Sequence, residues 1–228
     1  MRGLAALTLA TLITSCASLF SDLDSLSGAE ADGSTDGDPA VVGDGGSSPT
    51  VDAPSDAGGC SLVTVRKSPT TVSSGGGPGL AWEQLEKVRG EDGQFAIVRV
   101  SSGDTVNSTS ELLIAGNFGF AIAADAQIRG VTVRVRGKAP NDGNEDVRDA
   151  EIRLAPSAQP GGANRAANAW AAAFVSFEYG GPADLWDLAL TPAVLNQEAF
   201  SVGVRVKNHG SAGHAHVDVI SVDVTYCE

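Results

Sequence analysis

The sequence predicts an all-β domain, an antiparallel two-sheet β-sandwich of jelly-roll-like form, after a disordered N-terminal tether. Three observations carry this reading. Beyond Cys60 the apolar residues recur with period two: Val131, Val133 and Val135 alternate with Thr132, Arg134 and Arg136. Such alternation marks a sheet with one dry and one wet face, which is an antiparallel arrangement. The apolar runs are short, rich in β-branched residues, and bounded by Gly, Asn, Asp or Pro clusters. The first 59 residues differ in kind: between Cys16 and Gly59 lie nine carboxylates and no Lys or Arg.

The chain opens with Met1-Arg2 and an apolar run through Ile13, too short to span a bilayer but suited to a signal peptide. The run ends Ile13-Thr14-Ser15-Cys16, which resembles the bacterial lipobox: an aliphatic residue, two small residues and a cysteine. That resemblance implies cleavage after residue 15 and acylation of Cys16 by diacylglycerol and palmitate-like chains, with the lipid bilayer as a partner. Two or three acyl chains anchor a protein stably, where one is marginal. The alternative is an ordinary signal peptidase site with Cys16 incidental. Ala17 is not the aspartate that retains enteric lipoproteins in the inner membrane, so the expected address is the outer membrane.

Residues 16–59 are expected to be a disordered acidic linker, because Gly, Ser, Asp and Pro cannot bury enough apolar area to offset ordering entropy. As a flexible coil this segment spans roughly 35 Å. It contains no spaced ligand set of a calcium loop, and so reads as a spacer. Residues 60–228 are the expected folded domain. There 19 acidic residues face 14 basic ones, with no basic stripe, so nucleic acid is not an expected partner. With Cys16 lipidated, Cys60 and Cys227 remain as an even pair at the two ends of the domain, fit for a disulfide in an oxidising compartment.

Within the domain, residues 61–65, 95–100, 118–122, 128–136, 150–154, 200–206 and 217–226 read as strands. Thr191-Pro192 signals a single helical turn, with a cap residue followed by proline at the first helical position. Residues 163–173 are alanine-rich and helix-compatible, but 170–179 reads better as a strand that enters the Tyr179-Gly180-Gly181-Pro182 turn. Residues 73–79 read as a glycine-rich loop without the Lys-Ser/Thr of a phosphate cradle.

Several phrases in order resemble an uncharacterised β-sandwich module of bacterial and phage-associated proteins. They are Trp82 with Asp92-Gly93, Leu113 through Phe118-Gly119-Phe120-Ala121-Ile122, Ile128-Arg129-Gly130-Val131, and Val147-Arg148-Asp149 through Leu154. Tyr179-Gly180-Gly181, Asp184-Leu185-Trp186, Thr191-Pro192 with Asn196 and Phe200, and Val217-Asp218-Val219-Ile220 follow. Asp187 and Ser201 stand where that module carries glycine, which implies altered turns. The resemblance implies a fold and no activity.

Three clusters are candidate sites. His214-x-His216 on a strand projects two imidazoles to one face with Asp218 next in line, a set that suits zinc or non-haem iron. The plainer reading is a glycine-rich loop flanked by histidines. Asp142, Glu145 and Asp146 offer hard oxygens for calcium, although Asn141-Asp142-Gly143-Asn144 is equally a hairpin turn. Trp82, Trp186 and Tyr179, with Trp170, would make a sugar-stacking platform, or else pack in the core. The chain has no Gly-x-Ser-x-Gly elbow, no His-Glu-x-x-His motif and no catalytic cysteine. Carboxylates for glycoside hydrolysis need only converge in space, so spacing does not test them. The expected role is therefore a non-enzymatic envelope lipoprotein that displays a binding module for a glycan or protein. The alternatives are a structural or assembly part and, behind both, a secreted hydrolase.

Overall fold

The computed structural model describes residues 60–101, 108–140, 146–157, 161–211 and 213–228. The expected signal peptide, Cys16, the linker before Cys60, and Asp142 and Glu145 lie outside the described residues. The domain is almost entirely β, with nine strands among the described residues: β1 (Leu62–Lys67), β2 (Thr71–Gly75), β3 (Ala96–Val100), β4 (Leu112–Gly116), β5 (Gln127–Lys138), β6 (Val147–Ala155), β7 (Val175–Gly181), β8 (Ser201–Asn208) and β9 (Gly213–Cys227). A 3₁₀ turn (Leu85–Val88) and one helical turn, α1 (Pro192–Leu195), complete it. Thr191 caps α1 by accepting from the Val194 amide, as the Thr-Pro signal predicts.

Two antiparallel sheets face each other, and neither closes into a barrel. In the first sheet β9 is the spine. β1 borders its C-terminal half and β3 its N-terminal half on one side, while β5 and then β7 lie on the other. The second sheet runs β2-β4-β8-β6. Strands β3-β9-β5-β7 opposite β4-β8-β6 give the order of a jelly roll. Its eighth position, beside β6, is held by irregular backbone. Arg165 and Trp170 donate amides to the Ile152 and Val147 carbonyls, and the Asp149 amide donates to the Asn168 carbonyl.

The core forms where the two sheets meet. Val131, Val133 and Val135 of β5 are fully buried, as are Val202, Val204 and Val206 of β8, while Arg134 and Arg136 stay on the wet face. In β9 a bulge falls at Asp218: Gly137 of β5 pairs with Val217 and Arg136 with Val219. The bulge resets the alternation, so Ala215 and Val217 point inward before it and Ile220, Val222 and Val224 after it.

Three local expectations need correction. Residues 118–122 alternate like a strand, and Phe118, Phe120 and Ile122 are buried, but they join no sheet. Positive φ at Asn117 and Gly119 breaks the extended backbone. The Asn196 side chain then takes the place of a neighbouring strand: its Oδ1 accepts from the Ile122 amide at 3.0 Å and its Nδ2 donates to the Ile122 carbonyl at 2.9 Å. The strand expected over 170–179 begins only at Val175, because the chain from Asn164 to Trp170 is bonded to β6 instead. Residues 71–75, read partly as loop, form β2 along β4.

The unusual turn around Trp186 explains one departure from the glycine pattern. Trp186 and Asp187 both adopt left-handed φ, near +59° and +56°. Aspartate tolerates that region better than most residues. Trp186 is held there by full burial and by its indole N–H, which donates to the Val131 carbonyl at 2.8 Å. Gly180 is required beneath it: its φ is +72°, and a Cβ there would meet the Val131 carbonyl oxygen at 2.6 Å.

Candidate functional site

The aromatic platform expected from sequence is part of the core. Trp82 is 4% exposed, Tyr179 3% and Trp186 0%, so none presents a ring face to a ligand. Their polar atoms are also used internally. The Trp82 indole N–H donates to the Glu111 carbonyl at 3.0 Å, and Tyr179 donates its hydroxyl to Asp149 at 3.0 Å. Burial first, and the Asp149 charge second, push the Tyr179 hydroxyl well above its ordinary range, so it stays a donor.

The histidine pair faces one way, as the period-two reading requires, with ring centroids 6.2 Å apart. Asp218 does not complete a metal set. The bulge displaces it, and its carboxylate is ion-paired with Arg136, which also holds Glu91 at 3.1 Å. Among the described residues no group of three His, Cys, Asp or Glu is arranged to hold a metal ion. Asp146, the described member of the expected calcium cluster, is bound at both oxygens by Arg148, at 2.7 and 2.9 Å. That contact holds its carboxyl below the usual range.

Two features of the wet face of the first sheet emerge instead. Toward the C-terminal half of β9 runs a cross-strand ladder of charge. Arg66 of β1 grips both oxygens of Asp223 at 2.6 and 2.9 Å, Arg134 of β5 reaches Asp223 at 2.9 Å, and Arg134 also pairs with Glu178 of β7. Burial opposes the charged form of Asp223, but the two arginines outweigh it and keep its pKa below the ordinary carboxylate value.

Toward the other end of β9 lies a half-buried aromatic and cationic row, contributed in turn by the neighbourhoods of β3, β9, β5 and β7. Phe95 stacks on His216 with centroids 4.3 Å apart and planes 8° from parallel, and Phe174 lies 5.7 Å from Phe95. The Lys138 Nζ sits 4.4 Å from the Phe174 centroid and 5.3 Å from that of Phe95, and the Arg136 guanidinium lies 4.9 Å above Phe174. Arg136 is committed to Asp218 and Glu91, whereas Lys138 makes no ion pair among the described residues. The Nδ1 of His216 is buried without a hydrogen-bond partner among the described residues. Sequence reasoning found the histidines but not the phenylalanines or Lys138. Only their shared position at strand ends hints at convergence, and strand order decides it.

His216 has a pKa lowered to about 4, by burial first and then by the charges of Lys138, His214 and Arg99. The unfolded chain takes up this proton near the ordinary imidazole value of 6.5, so the stabilisation from neutral His216 is complete above that pH. It is lost progressively as pH falls from 6.5 toward about 4. Thermal unfolding followed by circular dichroism is expected to show the midpoint dropping across this window. His216→Gln should flatten that part of the profile, and an equally steep profile in the variant would assign the slope to other groups.

Of the sequence-named residues, the structure joins Cys60 and Cys227 in a disulfide, Cα to Cα 5.2 Å, which links the residue pair flanking β1 and closing β9. No family model, curated protein or solved structure matches this chain.

Proposed function

We propose that this chain is an exported, lipid-anchored envelope protein whose jelly-roll domain binds an acidic glycan without catalysis. The observation that carries the reading is the placement of the aromatic and cationic row relative to the clasp. The chain enters the domain at Cys60, which is disulfide-bonded to Cys227 at one end of β9. His216 and the row around it lie 11 residues back along that strand, about 35 Å away at the rise of extended chain. The row thus lies toward the end of the sandwich away from the point where the chain enters it. Phenylalanine rings stack against the C–H faces of sugar rings, and the Lys138 ammonium, held over Phe174 and without an ion pair among the described residues, supplies a counter-charge for a uronate or similar acid. The disulfide agrees with an oxidising compartment.

The test is a screen of the full chain against an array of envelope glycans, with and without calcium. Binding is expected to be restricted to acidic glycans. Phe174→Ala should weaken it about ten-fold, in line with the worth of one aromatic contact. Lys138→Gln should remove most of its salt dependence. A flat array from folded protein would sink the glycan reading. An assembly role has one observation of its own, since Val175 on the free edge strand β7 and Leu185 beyond it are exposed apolar residues. Concentration-dependent self-association abolished by Val175→Lys would favour that role.

A further inference from the structure

The clasp between Cys60 and Cys227 is chemically asymmetric. Cys60 is exposed, ahead of β1, whereas Cys227 is 5% exposed, at the end of β9 with β1 on one side and β5 on the other. Arg129 of β5 donates its Nε–H to the Cys227 sulfur at 2.9 Å. Among the described residues Arg129 has no carboxylate partner, so its charge stays available to that sulfur. Beside the disulfide lies an open groove of about 480 Å³ whose walls include both cysteines, Leu62, Arg129, Pro182 and Ala183. Leu62, at 67% exposure, is the most exposed large apolar residue described.

We propose that the Cys60–Cys227 bond is a directional thiol–disulfide exchange site, a substrate for a dithiol oxidoreductase. The partner's thiolate attacks the accessible Cys60 sulfur and forms a mixed disulfide with it. The Cys60–Cys227 bond breaks, and its electron pair leaves on the Cys227 sulfur as a thiolate that faces the Arg129 guanidinium. Exchange is faster when the departing sulfur is the better-stabilised thiolate, and a neighbouring cation supplies that stabilisation. The partner's second thiol, once deprotonated, attacks the partner's own sulfur in the mixed disulfide and expels Cys60 as a thiolate. Both thiolates of this chain take up protons, and the partner leaves as its disulfide, oxidised by two electrons. The apolar groove gives the partner's active-site segment a surface to lie on during the exchange. The released element is β1, an edge strand that, among the described residues, is bonded to the sheet only through β9. This inference stands independently of the glycan reading.

The experiment uses the oxidised full chain and reduced glutathione as the probe. The reaction is quenched by acid at early times, and the modified cysteine is located by peptide mass spectrometry. The expected result is glutathione on Cys60 with Cys227 free. Arg129→Gln should slow the first exchange roughly three-fold or more, and Arg129→Lys should keep most of the wild-type rate. Arg66→Gln, on the same sheet but bonded to Asp223, should leave the rate unchanged. Glutathione on Cys227, or shared equally between the two sulfurs, overturns the proposal. So does an Arg129→Gln protein of native circular dichroism that exchanges at the wild-type rate. Should Arg129→Gln fail to fold, the position of the adduct in the wild-type chain still decides.

Discussion

Replacing Cys60 and Cys227 together by alanine is expected to lower the unfolding free energy by several kcal/mol, with an upper figure of about 5 kcal/mol. The bond spans a sequence separation of 167, so its absence restores much loop-closure entropy to the unfolded chain. The upper figure will not be reached, because part of the loss is local. Among the described residues β1 pairs with β9 only, and its inward residues Val63 and Val65 are half-buried. Without the staple β1 can fray while the remaining strands stay folded, which spreads the loss over two events. Urea unfolding should therefore show a lower midpoint. Amide exchange should show protection falling first across Leu62–Lys67, before that of β5 or β8. Fraying also frees Arg66 from Asp223, which leaves Arg134 to hold that buried carboxylate. An unchanged midpoint with β1 amides still protected would mean that the strand pairing alone holds the ends together.

The architecture was readable because its signals are local. The alternation of Val131, Val133 and Val135 states both the strand and its buried face, and the even cysteine pair states which ends of the domain meet. Where reading failed, a distant residue had replaced a local rule. Phe118, Phe120 and Ile122 alternate like a strand, but Asn196, far along the chain, supplies the hydrogen bonds that a neighbouring strand would give. The tryptophans were visible as residues and not as locations: an aromatic side chain fits a core or a platform equally well, and only packing separates the two. His214 and His216 share a face, as spacing requires, yet the bulge at Asp218 breaks the third step of the pattern. Phe95, Lys138 and Phe174 come from separate strands whose order in the sheet is not sequential, so no spacing announces their meeting.

Asp149 is the second residue on which stability is expected to depend strongly. It sits at the bulge of β6, beside the irregular backbone that takes the eighth strand position. One carboxylate oxygen accepts from the Trp170 indole at 2.6 Å and from the Tyr179 hydroxyl at 3.0 Å. The other accepts the backbone amides of Ala167 and Asn168 at 3.2 and 2.8 Å. Asp149 thus ties the second sheet both to the irregular segment and, through Tyr179 of β7, to the first sheet at the open side of the sandwich. Asp149→Ala strands four donors, two of them on the buried side chains of Trp170 and Tyr179. Each unmet buried donor costs about 1–3 kcal/mol, and water entering the half-open site recovers part of it, so a loss of about 3–4 kcal/mol is expected. Asp149→Asn keeps the shape and one acceptor oxygen but turns an N–H₂ toward donors, and should fall between alanine and the wild type. Trp170 emission should shift to the red in both variants, and the urea midpoints should rank in that order. Asp146→Ala, which removes only an exposed ion pair with Arg148, should leave the midpoint unmoved. If Asp149→Ala unfolds with the wild type, apolar packing of Trp170 and Tyr179 closes that side of the sandwich without help from the carboxylate.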